Sequence, residues 1–172
     1  MKRTLLTKSE QAALLDLLPT ELIAFTKDAA IYNSSCSPEA RVYFLARDNG
    51  YYLKLCGAGT LEAEARMTAY FHSKGLAAEV LDYRRLDGRD LLITSKVRGE
   101  DCTHAQYLSD PARLCDLLGE RLRMLHETSF DDCPVPNRMS AYFALAEENY
   151  RTGNYDKSAF PDSFGYRSAE AG

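Results

Sequence analysis

Residues 41–47 and 51–56 are rich in β-branched and aromatic side chains and are joined by Asp48-Asn49-Gly50, a strong hairpin signal. A second pair of such runs, 79–85 and 90–96, flanks Asp87-Gly88 and predicts a second hairpin. Residues 24–33 read as a first strand. Between the hairpins, Leu61, Glu64, Met67, Thr68 and Phe71 recur at three-four spacing, so 61–74 is expected to be a helix, stopped by Gly75. Ahead of these, Thr7-Lys-Ser-Glu10 matches a capping box and opens a short helix through Leu14, Leu15, Leu17 and Leu18 that Pro19 ends. The first part of the chain is thus predicted as a five-stranded antiparallel sheet with one internal helix. After Gly99 the pattern turns helical. Asp110 caps and Pro111 enters the first turn of a segment in which Leu114, Leu117, Leu118, Leu122 and Leu125 share a stripe. Residues 139–150 form a further predicted helix, and from Arg151 onward no period is left, which predicts a loop or frayed end.

Composition narrows the partners. The 172 residues are 45% hydrophobic and 27% charged, ordinary for a soluble globular chain that buries a core without staples. A net charge of −4 argues against a general nucleic-acid binder, which needs a basic face for phosphates. The five cysteines (Cys36, Cys56, Cys102, Cys115, Cys133) are scattered, odd in number and free of Cys-x-x-Cys spacing, so neither a zinc knuckle nor a disulfide scaffold is expected. Charge interrupts the N-terminus before a signal-peptide core can form, and no window approaches a membrane-spanning length. The cytoplasm is the expected location, with no membrane partner.

The candidate chemistry centres on Lys54, at the end of the second strand-like run, and on the helix that follows. Helical phase places Glu64 inside the apolar stripe, whereas Glu62 faces away and can pair with Arg66 one turn on. A carboxylate on a buried face needs a partner, and Lys54 is the obvious one. The competing reading puts Glu64 at the edge of the stripe, reaching into solvent. Residues 34–40 form a small polar turn without glycine, so it is no Walker loop. Its backbone N–H groups and the Ser37 hydroxyl could receive a phosphate, and read alone it is simply a polar loop between strands. His126, ending a leucine-striped helix, reads as a dipole cap or packed histidine rather than a base.

Taken in order, Ser37-Pro-Glu-Ala-Arg-Val-Tyr43, Tyr52-Leu-Lys54, the Glu62-x-Glu64 helix, Leu92-Ile-Thr-Ser-Lys-Val-Arg-Gly99, Arg123-Met-Leu-His126 and Asp131-Asp-Cys-Pro-Val-Pro-Asn137 resemble the first half of aminoglycoside 3'-phosphotransferases. The similarity runs from about Leu14 to Tyr150 and is fairly specific as a set. It implies an α+β, protein-kinase-like fold: an N-lobe with hinge over 1–97 and a partial helical C-lobe over 98–172. It implies that Lys54 holds the α- and β-phosphates of ATP, that Glu64 orients Lys54, and that Ser37 belongs to the loop over the phosphates. Ser95 to Val97 would be the hinge that pairs with the adenine edge through backbone groups, with Thr94 just before it. Lys96 departs from the acidic residue often found at its position.

The implied parent activity is transfer of the ATP γ-phosphoryl group to an aminoglycoside hydroxyl, with Mg²⁺ bridging the phosphates. The resemblance also requires a His-Gly-Asp loop and a later metal-binding Asp. The three histidines stand in His72-Ser-Lys, His104-Ala-Gln and His126-Glu-Thr, so no such loop is present and no catalytic or metal residue is assigned in this chain. Asp162-Ser-Phe-Gly165 is read as a coincidental loop. The chain is therefore expected to be a truncated kinase, inactive alone, that covers its bare helical stripe by self-association as a homodimer. The alternatives are a small-molecule kinase of the same fold acting on choline, homoserine or a sugar amine, and a non-catalytic nucleotide-binding or dimerisation module.

Overall fold

The computed structural model describes residues 3–156. Its strands lie where the β-rich runs predict them: β2 Ala30–Asn33, β3 Arg41–Ala46, β4 Tyr51–Gly57, β5 Val80–Leu86 and β6 Arg89–Ser95. A two-residue strand, β1 Thr4–Leu5, adds a sixth member that the sequence pattern did not offer. Two residues carry no period, and only their pairing with Asn33 and Tyr32 defines them. The order across the sheet is β1-β2-β3-β4-β6-β5, and every neighbouring pair is antiparallel. The β3–β4 hairpin closes through a Gly50 N–H donated to the Arg47 carbonyl, with Asp48 and Gly50 both at positive φ.

The expected first strand over 24–33 is strand only from Ala30, and its first three residues belong to a helix. Residues 20–26 form α2, Thr20–Thr26, after α1, Lys8–Leu15. Helix α1 stops at Leu15, three residues short of the expected Leu18, which sits in the turn that follows, and Pro19 stands as the N-cap of α2 and not as the end of α1. Arg47, at the end of β3, donates to the Phe25, Lys27 and Ala24 carbonyls at 2.9, 3.2 and 3.5 Å, and so satisfies the last turn of α2 from a distance. The α1 capping box forms as expected: Thr7 Oγ1 accepts from the Glu10 amide and Glu10 Oε2 accepts from the Thr7 amide.

Alternation along the central strands sorts the two faces of the sheet. Leu45, Leu53, Leu55, Leu91 and Ile93 point to one side and are buried against Leu14, Leu18 and Leu22 of the α1–α2 region. Lys54, Cys56, Asp90 and Leu92 point to the other side, under α3, Glu62–Ser73. There Leu61, Ala65 and Leu92 form a second, smaller core. Gly75, at φ 74°, ends the helix with its N–H on the His72 carbonyl, and Leu76 N–H returns to Phe71.

The chain continues through α4, Ala105–Leu108, and α5, Pro111–Glu127, whose Asp110 side chain accepts from the Arg113 amide at 3.1 Å. Contacts divide the chain after Val135 into two units. In the first unit, residues 129–135 lie along α3. Tyr70 donates to Asp132 at 2.7 Å and to the Ser129 carbonyl at 3.2 Å, Lys74 pairs with Asp132, and Arg66 donates to the Pro134 carbonyl at 2.6 Å. The expected Glu62–Arg66 pair is replaced by Glu62–Arg85 at 2.9 Å, because residues far away in sequence outcompete the one-turn neighbour. The second unit contains α6, Met139–Thr152, closed by Gly153 at φ 71°.

Candidate functional site

Strand β4 delivers Lys54 to the α3 face of the sheet, paired across the ladder with Val42 and Leu92. Helix α3 starts five residues after β4 ends, so its first turn stands directly over that lysine. Lys54 Nζ donates to Glu64 at 2.7 Å (Oε2) and 3.0 Å (Oε1), a two-pronged ion pair. The Lys54 side chain is 28% exposed and that of Glu64 43%, so the pair opens to solvent and the glutamate sits at the rim of the apolar stripe, not within it. Leu61, Ala65 and Tyr70 are the buried residues at and along α3. The partner was legible and the burial was not, since three-four spacing cannot separate the middle of a stripe from its edge.

A cavity of about 360 Å³ surrounds this pair and is lined by Ser34, Cys36, Ser37, Ala40, Val42, Tyr52, Lys54, Glu64, Leu92 and Thr94. A second, of about 550 Å³, shares Tyr52 and Thr94 and continues past Ser95, Lys96 and Val97, with Arg3 on its rim. All six residues singled out from sequence therefore fall on two adjoining concavities: Ser37, Lys54, Glu64 and Thr94 on the first, and Thr94, Ser95 and Val97 on the second. The polar turn is pinned at its base, where the Ser34 amide donates to the Val42 carbonyl and the Val42 amide to Ser35 Oγ. The Ser37 side chain is hydrogen-bonded to the Glu39 carboxyl and, with the Glu39 backbone, holds it below the usual carboxylate range. At the hinge-like stretch, Ser95 N–H bonds the Glu79 carbonyl and Lys96 N–H the Gly50 carbonyl. Among the described residues the Val97 amide donates to no carbonyl.

Two residues here escaped sequence reasoning. Tyr52 belongs to both cavities and presents, with Val42 and Leu92, an apolar wall beside the charged pair. Arg3 stacks over the Phe44 ring at 3.9 Å and donates to the Tyr52 hydroxyl. Tyr52 carried a detectable signal, since it shares the strand face of Lys54 two residues away. Arg3 carried none, because only β1 pairing brings it there. Among the described residues no group of three His, Cys, Asp or Glu side chains is placed to hold a metal ion. The Asp162-Ser-Phe-Gly165 segment lies outside the described residues.

An antiparallel sheet with a lysine facing a glutamate on α3, the helix between β4 and β5, defines the class: the small lobe of a kinase-like fold. The chain belongs to the phosphotransferase enzyme family, whose profile matches residues 38–171. It is 41% identical over 156 residues to a probable aminoglycoside 3'-phosphotransferase of Lactococcus lactis subsp. lactis (strain IL1403), covering 91% of this chain and 59% of that protein. It is 31% identical over 124 residues to an aminoglycoside 3'-phosphotransferase of Enterococcus faecalis, covering 67% of this chain and 46% of the relative. Among solved structures, the crystal structure of an aminoglycoside-3'-phosphotransferase of type VIII superposes with a TM-score of 0.66 at 17% identity, over 90% of this chain and 57% of that one. The chain thus spans about half to three-fifths of the length of the proteins it resembles.

Proposed function

We propose that this chain is the nucleotide-gripping part of an ATP-dependent aminoglycoside kinase, with residues 1–97 as N-lobe and hinge and 98–172 as the start of a helical lobe. The observation that carries the reading is the Lys54–Glu64 contact at 2.7 Å inside a cavity that also takes in Ser37 and Thr94. The site suits a nucleotide in its chemistry. Lys54 supplies a point charge for the α- and β-phosphates, Glu64 fixes its direction, and the turn around Ser37 covers the phosphates with backbone N–H groups. Tyr52, Val42 and Leu92 offer an apolar wall for a flat base. The adenine edge would meet backbone groups between Ser95 and Val97, where the Val97 amide is the donor at hand.

Mg²⁺ is the expected ion of the complete reaction, and among the described residues no group of three His, Cys, Asp or Glu side chains gathers to hold a metal. The chemistry assigned to this chain is therefore binding and orientation. The aminoglycoside acceptor follows from the names of the relatives, and conferring antibiotic resistance follows with it. A cytoplasmic setting fits cysteines that form no disulfide. Among the described residues no helix is long and apolar enough to cross a membrane. Calorimetric titration with ATP tests the reading: the protein should bind, and Lys54→Ala should weaken binding at least about tenfold, the worth of one charged hydrogen bond. Absence of binding, or a Lys54→Ala protein that binds as well, rejects it. Kanamycin added to the same preparation with ATP and Mg²⁺ should remain unphosphorylated, because the 172 residues hold no His-Gly-Asp loop to place the acceptor hydroxyl.

A further inference from the structure

Helix α3 begins badly by its own sequence. Leu61 stands at its N-cap and has no side-chain oxygen to receive the orphan N–H groups of the first turn. The neighbouring strand supplies an acceptor one step earlier, for the amide of Leu61 itself. Asp90 of β6, with a side chain 0% exposed, accepts the Leu61 amide on Oδ2 at 3.0 Å and the Tyr83 hydroxyl on the same oxygen at 3.2 Å. Its Oδ1 faces Arg85 Nε at 3.5 Å, an ion-pair contact rather than a hydrogen bond. Arg85 in turn holds Glu62, the first residue of the helix, at 2.9 Å. Burial alone would push the Asp90 carboxyl up. The Gly59 and Leu61 amides, the Tyr83 hydroxyl and the Arg85 charge outweigh that and keep it ionised. A buried anion is thus fixed at the positive end of α3, in the turn that carries Glu64.

We infer that Asp90 is a positioning residue for the phosphate-binding lysine: it anchors the first turn of α3 so that Glu64 meets Lys54. The role rests on the proposed nucleotide site but acts on a contact that can be read without nucleotide. Without the tie on the Leu61 amide the first turn loosens, and Glu64, only three residues on, moves with it. Lys54 then loses the carboxylate that restrains it. Glu62–Arg85 provides a second, weaker tether, because both side chains are about half exposed.

The test is the rate at which Lys54 is acetylated by dilute acetic anhydride, followed by peptide mass spectrometry, in the wild type, Asp90→Asn, Glu64→Gln and the double variant. Lys54 should react faster in Asp90→Asn, to about the level of Glu64→Gln, and the double variant should be no faster than Glu64→Gln alone. A folded Asp90→Asn protein with wild-type Lys54 reactivity overturns the inference, as does a double variant whose rate is the product of the two single effects. Should Asp90→Asn fail to fold, Arg85→Met and Tyr83→Phe each remove one partner of the carboxylate. Both should raise Lys54 reactivity part of the way, and no rise in either assigns Asp90 to stability alone. ATP affinity measured on the same proteins should fall about tenfold in Asp90→Asn and not further in the double variant. If no protein binds ATP while the acetylation pattern holds, the functional reading fails and the positioning role stands.

Discussion

Two side-chain pairs on α3 have opposite uses. Lys54–Glu64 opens to solvent on both partners, and exposed ion pairs contribute roughly 0–1 kcal/mol. Stability cannot be its purpose. Glu64→Gln should therefore shift the urea midpoint by no more than about 1 kcal/mol in equivalent stability, while nucleotide affinity falls by at least about fivefold. A large loss of stability with unchanged affinity would reverse that assignment. Tyr70 behaves otherwise. Burial first, and then its hydrogen bond to Asp132, push its hydroxyl up from 10.0 to about 12. Because the raised value belongs to the folded state, stability is intact below pH 10 and declines as pH climbs toward about 12. Tyr70→Phe should flatten that alkaline decline in chemical denaturation curves, and an unchanged slope would show that another group controls it. Sequence alone pointed to Lys54 and Glu64 by type and spacing. It could not point to the Tyr70–Asp132 contact, which joins positions 62 residues apart.

At the scale of elements, hairpins were the most legible feature, because their turns use residues that few other conformations favour. Gly50 is at φ 90°, and a Cβ there would lie 2.8 Å from Cε2 of the Phe44 ring. Gly50→Ala should destabilise the protein by about 1–3 kcal/mol through backbone strain and displacement of Phe44. Thermal unfolding measures the effect, and a neutral result would mean that the turn rearranges freely. Boundaries set by remote partners were not legible. The end of α2 depends on Arg47, the start of α3 on Asp90, and β1 on Asn33 and Tyr32, none of which is a neighbour in sequence. Helix α5 was legible for the opposite reason, since Asp110-Pro111 starts it locally, whereas α6 runs to Thr152, two residues beyond its expected end, before Gly153 closes it.

For the molecule as a whole, the leucine stripe of α5 is the feature in search of a role. Leu117, Leu118 and Leu122 are 39%, 45% and 54% exposed, and together they make an apolar surface uncommon on soluble monomers. Its exposure is unfavourable by roughly 25 cal/mol per Å², which is the drive for the self-association proposed here. Light scattering should return a mass above the 19.3 kDa of one chain, and Leu118→Glu with Leu122→Glu should bring it back to that value. A wild-type protein that stays monomeric at high concentration would remove the homodimer from consideration.

The strict alternation of β4 also carries a consequence for how this strand tolerates change. Leu53 and Leu55 face the interior filled by Leu14, Leu45 and Ile93, while Tyr52 and Lys54 face the cavities. In a library covering every substitution in β4, scored separately for abundance and for nucleotide capture, the two maps should interleave like the teeth of a comb. Substitutions at Leu53 and Leu55 would lose abundance, and those at Tyr52 and Lys54 would lose capture from protein that is still present. A drifting gene that no longer needed its ligand would then keep the first set of teeth and shed the second.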